Sequence, residues 1–116
     1  MHRHIDWSCV PTEILNPQIS RQFVTTENVT VARFFLKKGV KVPEHHHPNE
    51  QIAFILSGSL QFTLEGKTVT LRPGDTLCIP PNVPHSAEAL EDTIDLDVFT
   101  PPRADWASGD DAYLRR

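Results

Sequence analysis

The sequence predicts an all-β fold, one sandwich or barrel, and three observations carry that expectation. Short runs rich in Val, Ile, Thr and Phe recur from Gln22 to Thr100. Gly, Pro and Asn separate them at short intervals, as turns separate the strands of sandwiches and barrels. Little chain is left over for helix, and 116 residues is the usual size of one domain, with no room for a second core.

In chain order, residues 1–20 read as an N-terminal arm, 21–100 as the barrel and 101–116 as a C-terminal segment. Strands are expected over 29–36, 51–56, 60–64, 68–71, 76–79 and 93–99. Leu60-Gln61-Phe62-Thr63-Leu64 alternates cleanly, Glu65-Gly66 offers a residue free to take positive φ, and Thr68 to Leu71 return, which makes a hairpin. Pro43, Pro48, Pro73, Pro80, Pro81, Pro84 and the Pro101-Pro102 pair fall at strand ends, where a missing N–H does least harm to a ladder. Past Pro102 the chain is charged, and one helical turn around Ala104-Asp105-Trp106 fits as well as an irregular tail.

Composition then bounds function. A chain of this length buries roughly two-thirds of the surface its unfolded form exposes, so it needs neither disulfide nor structural metal to fold, and a bound metal is free to serve chemistry. The balance of 11 Lys+Arg against 15 Asp+Glu, with no basic run, argues against a nucleic-acid partner. No window approaches the ~18 apolar residues of a membrane span, and the first residues lack the apolar core of a signal peptide, so a cytoplasmic protein with no membrane partner is expected. Cys9 and Cys78 form no CxxC pair and are expected to be structural thiols, Cys78 a buried one between Leu77 and Ile79.

Three of the six histidines stand in Glu44-His45-His46-His47-Pro48. In extended chain, side chains at i and i+2 share a face, so His45 and His47 can converge on one ion while His46 points away. Gln51, at the start of the next strand, can turn its amide oxygen toward the same point, and an antiparallel neighbour can bring in His85. Three neutral imidazoles and a neutral amide suit one divalent transition metal, Zn, Ni, Fe, Mn or Cu, and leave its charge uncompensated, so the site should attract an anion. His2 and His4 repeat the spacing in the arm and remain unassigned.

These residues carry a resemblance. Gly39, His45, His47, Gln51 and Gly58, at their spacing, are similar to the first motif of the cupins, with Gln where most members have Glu. Gly74, Pro80, Asn82 and His85 resemble the second, with Asn82 at the usual glycine and Ala89 at the usual closing asparagine. The resemblance implies a single-domain double-stranded β-helix, or jelly-roll barrel, with His45, His47, Gln51 and His85 on the metal. Counting back from Gly58 selects Gln51 over Glu50, and strand alternation sends Glu50 to the opposite face. A homodimer is expected, because sheet edges need cover.

The last strand divides Ile94, Leu96 and Val98 from Asp95, Asp97 and Phe99. Alternation alone favours the aspartates facing solvent, although Phe99 on their side fits a half-polar cavity about as well. Leu96-Asp97-Val98-Phe99-Thr100-Pro101-Pro102-Arg103 looks like the C-terminal segment of the pectin-degradation cupins, which open the ring of 4,5-unsaturated uronates. That resemblance, which runs from Gly39 to Arg103, implies a small anionic sugar as substrate. It places Asp97 as the proton-moving group, Arg103 as a carboxylate clamp and Phe99 against the sugar ring. A metal-dependent cupin dioxygenase and a small-molecule-binding cupin without turnover are the alternative readings.

Overall fold

The computed structural model describes residues 1–115. A short 3₁₀ turn, Trp7–Cys9, precedes ten strands: β1 (Glu13–Asn16), β2 (Ile19–Thr25), β3 (Thr30–Leu36), β4 (Lys41–His45), β5 (Glu50–Ser57), β6 (Leu60–Leu64), β7 (Lys67–Leu71), β8 (Thr76–Ile79), β9 (His85–Ala89) and β10 (Thr93–Thr100). Helix α1 (Ala104–Ser108) and a 3₁₀ turn, Ala112–Leu114, follow. One sheet runs β1-β2-β3-β10-β5-β8 and the other β4-β9-β6-β7, every pairing antiparallel.

Local chemistry explains the turns. Glu65 and Gly66 both take positive φ, 52° and 73°, as a two-residue type I′ hairpin between β6 and β7 requires. Gly58 turns β5 into β6 at φ 84°, where a Cβ would lie 2.2 Å from the Asp92 carbonyl oxygen, so no larger residue fits. Asn82, at φ 64°, occupies the left-handed region that asparagine tolerates.

The sheet begins before residue 21: β1 and the start of β2 lie in the segment expected to be an arm, joined by a turn in which Asn16 Oδ1 accepts from the backbone N–H groups of Gln18 and Ile19 at 2.8 and 3.0 Å. The four residues of β1 are too few to show alternation. The remaining arm packs on its own barrel, since Gln22 Nε2 donates to the carbonyls of Trp7 and Val10 at 2.8 and 2.9 Å. Of the two readings of the C-terminal segment, the helical turn is the one formed. No helix among the described residues is long and apolar enough to cross a membrane.

Leu36, Ile55, Leu60, Phe62, Leu64 and Leu71 are among the buried apolar residues packed between the sheets. Cys78 is exposed, not buried: in β8 it is Ile79 that points inward, with no exposed surface, and Cys78 takes the opposite side of the pleat. The same parity corrects β10. Asp95, Asp97 and Phe99 are the inward residues, 4 %, 3 % and 2 % exposed, whereas Ile94, Leu96 and Val98 lie half-buried on the outer face. Outward apolar residues on the neighbouring strands, Phe35 on β3 and Ile52 and Phe54 on β5, continue that face.

Candidate metal centre

The polar end of the barrel interior is built strand by strand. His45 closes β4 and pairs directly with His85, the first residue of β9. β4 stops there, so His47 lies in the loop before β5 and not on the strand, yet its ring still turns to the same point. The ligand nitrogens of His45, His47 and His85 lie within 4.8 Å of one another. Gln51, first inward residue of β5, brings its Oε1 to 3.1 Å from His47 Nε2. Glu50 and His46 are exposed.

Backbone carbonyls set the tautomers. Each Nδ1 lies within hydrogen-bonding distance of one, His45 to Pro43 at 2.8 Å, His47 to Asn49 at 3.0 Å and His85 to Val83 at 2.9 Å. A carbonyl can only accept, so each Nδ1 carries the proton and each Nε2 presents a lone pair. His85 Nε2 is buried without a hydrogen-bond partner. Burial first, with Arg103 and the neighbouring imidazoles adding to it, pushes the imidazoles down, His45 to about 3 and His47 to about 4. His85 is lowered by the same burial. Neutral rings whose free lone pairs converge, beside an amide oxygen, fit a divalent transition-metal ion, and donor N–H groups anchored on carbonyls are the usual support for such ligands.

Asp97 stands beside this cluster. In register its neighbours are Ala32 on β3 and Ala53 on β5, both fully buried, and two side chains this small leave open space around the carboxyl. Gln51 stands beside Asp97 and favours its charged form, while its amide oxygen lies toward His47. Asp97 also lies beside Asp95, one pleat along, and each carboxyl acts on the ionisation of the other. Burial raises Asp97 to about 6 and Asp95 further, and the Asp97 charge adds to the rise at Asp95. Asp95 is the more strongly raised, and Asp97, whose charged form Gln51 and Arg103 favour, is the readier of the two to ionise, the separation of roles expected when two close carboxyls sit in unequal surroundings.

Arg103 follows β10 and is 4 % exposed, its guanidinium over the rings of Phe99 and Trp106 at 4.6 Å from each. Its Nε and Nη2 donate to Asp105 at 2.9 and 2.6 Å, and Nη2 donates also to the Tyr113 hydroxyl at 2.7 Å. Asn49 couples this corner to the histidines: its side chain donates to the carbonyls of Pro101 and Pro102, at 2.5 and 3.2 Å, while its own carbonyl accepts from His47. The structure thus brings His45, His47, Gln51, His85, Asp97, Phe99 and Arg103 to one cavity wall or its rim. Sequence reasoning did not find Asp95, Asp105, Asn49 or Tyr113. Asp95 follows from Asp97 once the pleat is assigned; Tyr113 has no local signal.

Comparison with known proteins agrees with this architecture. The cupin domain model matches residues 32–100. The pectin degradation protein KdgF of Dickeya dadantii is 30 % identical over 109 residues, covering 91 % of this chain and 99 % of that protein. The crystal structure of KdgF from a Halomonas species superposes with a TM-score of 0.78 at 29 % identity, over 83 % of this chain and 92 % of the other. A shorter likeness, 39 % over 54 residues, links the chain to the acireductone dioxygenase of Bacillus pumilus, of which it spans 31 %. With its two-sheet barrel, its motif histidines and these relatives, the chain belongs to the cupin domain family and is a relative of the pectin degradation protein KdgF.

Proposed function

We propose that the chain is a metal-dependent enzyme that opens the ring of 4,5-unsaturated uronates, giving 4-deoxy-5-keto uronates. The observation that carries the reading is the convergence of a carboxyl raised by burial, Asp97, and a buried guanidinium, Arg103, on the cavity lined by His45 and His85 of the three-histidine cluster. The full-length likeness to a pectin degradation protein supports it. His45, His47, Gln51 and His85 would hold the metal, which when bound supplies Lewis acidity to the carboxylate and enol oxygens of the sugar. Asp97 takes the proton of the anomeric hydroxyl as the C1–ring oxygen bond breaks, and returns a proton to C4 as the enol becomes a ketone. Arg103 binds the substrate carboxylate, with Asp105 holding its side-on edge and Phe99 and Trp106 fixing its plane. Phe99 lies against the sugar. The active form is a homodimer, and the apolar outer face of β3, β10 and β5 supports this. Partners are otherwise small anionic sugars in the cytoplasm.

The test is direct: follow the ultraviolet absorbance of an unsaturated monouronate with the purified chain, with and without chelator. Chelator-sensitive loss faster than the spontaneous reaction is expected, and its absence overturns the reading. The likeness to an acireductone dioxygenase keeps oxygen activation as the second reading; oxygen uptake by the iron-loaded chain with a small organic substrate, without uronate turnover, favours it.

A further inference from the structure

The cavity is small for a sugar acid. It encloses about 50 Å³, room for roughly four waters at 10–15 Å³ each. Most of its wall is strand, held in two hydrogen-bonded sheets, but one side is closed by the short segment that carries Tyr113. The Tyr113 ring stacks on the His45 ring with centroids 4.4 Å apart and planes 27° apart. Its hydroxyl accepts from Arg103 Nη2 at 2.7 Å.

That hydrogen bond falls where a carboxylate would bind. A guanidinium offers five donors on two bidentate edges. Asp105 takes the Nε/Nη2 edge of Arg103, so a second carboxylate has the outer Nη1/Nη2 edge, and the Tyr113 oxygen sits on the Nη2 half of it. The segment is pinned upstream, where buried Asp111 accepts from Arg21 at 3.0 Å, and its own end reaches back to that pin through Arg115 Nε at 3.1 Å. Beyond that pin the Leu114 carbonyl takes a hydrogen bond from Asn16 Nδ2 at 3.2 Å.

We propose that Tyr113 is a plug displaced by ligand: a carboxylate replaces the phenol oxygen on Arg103, and residues 112–115 pivot about Asp111 to carry the ring off His45. This rests on reading the cavity as a site for a sugar acid. It makes Tyr113 a determinant of affinity.

Two measurements on the full chain test it. Diethylpyrocarbonate labelling after chelator treatment, mapped by mass spectrometry, should modify buried His85 far more slowly than exposed His46. Tyr113→Ala should raise the His85 rate about tenfold, the weight of one aromatic stack and one hydrogen bond, and leave His46 unchanged. In the metal-loaded chain, Tyr113→Phe keeps the ring and frees the guanidinium edge, so it should bind galacturonate, an unreactive sugar acid, about fivefold tighter in calorimetry. An unchanged His85 rate in a Tyr113→Ala chain that still melts cooperatively overturns the proposal. So does a Tyr113→Phe chain that binds galacturonate no tighter than wild type, whether or not Tyr113→Ala folds. A wild-type chain that binds galacturonate but leaves unsaturated uronate untouched sinks the ring-opening reading instead, and the plug stands.

Discussion

Replacing Asp97 by Asn separates chemistry from folding, because the two should move in opposite directions. The amide keeps the shape of the carboxyl and one of its oxygens, and it loses the charge and the exchangeable proton. Asp97 is 3 % exposed, and burial holds it at about 6 against an ordinary 3.8. A carboxyl raised in the fold binds its proton more tightly there than in the unfolded chain, so its contribution to stability falls as pH rises from 3.8 to about 6 and is fully unfavourable above that window. At about 1.4 kcal/mol per unit, the ionised group costs the fold up to about 3 kcal/mol at pH 8. Asp97→Asn should therefore melt several degrees higher at pH 8, less whatever its new N–H donors forfeit if Asp95 does not accept from them. Turnover should fall about 10²–10⁴-fold, the usual weight of a general acid–base group, or roughly 3–5 kcal/mol of barrier. The assay follows uronate absorbance at saturating substrate, with metal content and melting temperature measured on the same preparation. A variant with normal metal content and kcat within tenfold of wild type would refute the role assigned to Asp97.

Three further outcomes are expected. His85→Ala should weaken metal binding by more than about 100-fold, since loss of an outer partner of a ligand alone costs 10–100-fold, while His46→Ala binds as wild type; equal metal content in the two variants contradicts the donor set. In the metal-stripped chain, His45, His47 and His85 resist protonation, so their contribution is complete above about 6.5 and is lost as pH falls toward 4 and 3, whereas Asp95 and Asp97 act in the opposite direction above 3.8. The Asp97 penalty is relieved as pH falls from about 6 to 3.8, so acidification across that window should cost the metal-stripped Asp97→Asn chain up to about 3 kcal/mol more stability than it costs wild type, and an equal pH dependence of the two denaturation midpoints contradicts this balance. Leu96→Lys, on the apolar outer face, should turn the expected dimer into a monomer in light scattering without lowering the melting temperature of the barrel; a wild-type monomer at micromolar concentration removes the basis for the homodimer.

The fold was legible where periodicity and turn chemistry agree. The run 60–64 reads as a strand and is one, because its alternation faces an apolar interior on one side and solvent on the other. Thr76–Ile79 and the Glu65-Gly66 turn were equally plain. β1 was not, since four residues paired only to β2 at the sheet edge carry no pattern of their own. The histidine geometry was legible from spacing even though β4 ends at His45, because the loop that follows still returns the His47 ring to the same point.

β10 misled for a reason that belongs to the site. A hydrophobic pattern says which face is apolar, and the inner face is assigned to it by default. Here both faces needed explanation: the outer one is apolar because the barrel surface there is broad and made of Ile94, Leu96 and Val98, and the inner one is acidic because β10 passes the histidine cluster. The tie is broken by residues far away in sequence. Phe99 pairs in register with Gln51, and Asp97 with Ala53 and Ala32. A carboxyl on the solvent face would not need two alanines beside it, whereas a carboxyl inside a barrel needs the space they leave, and Gln51 beside it favours its charged form. Burying two aspartates works against stability, so their inward placement marks the strand as one shaped by chemistry. Registers of this kind, between three strands separated by dozens of residues, are what a single strand's pattern cannot express.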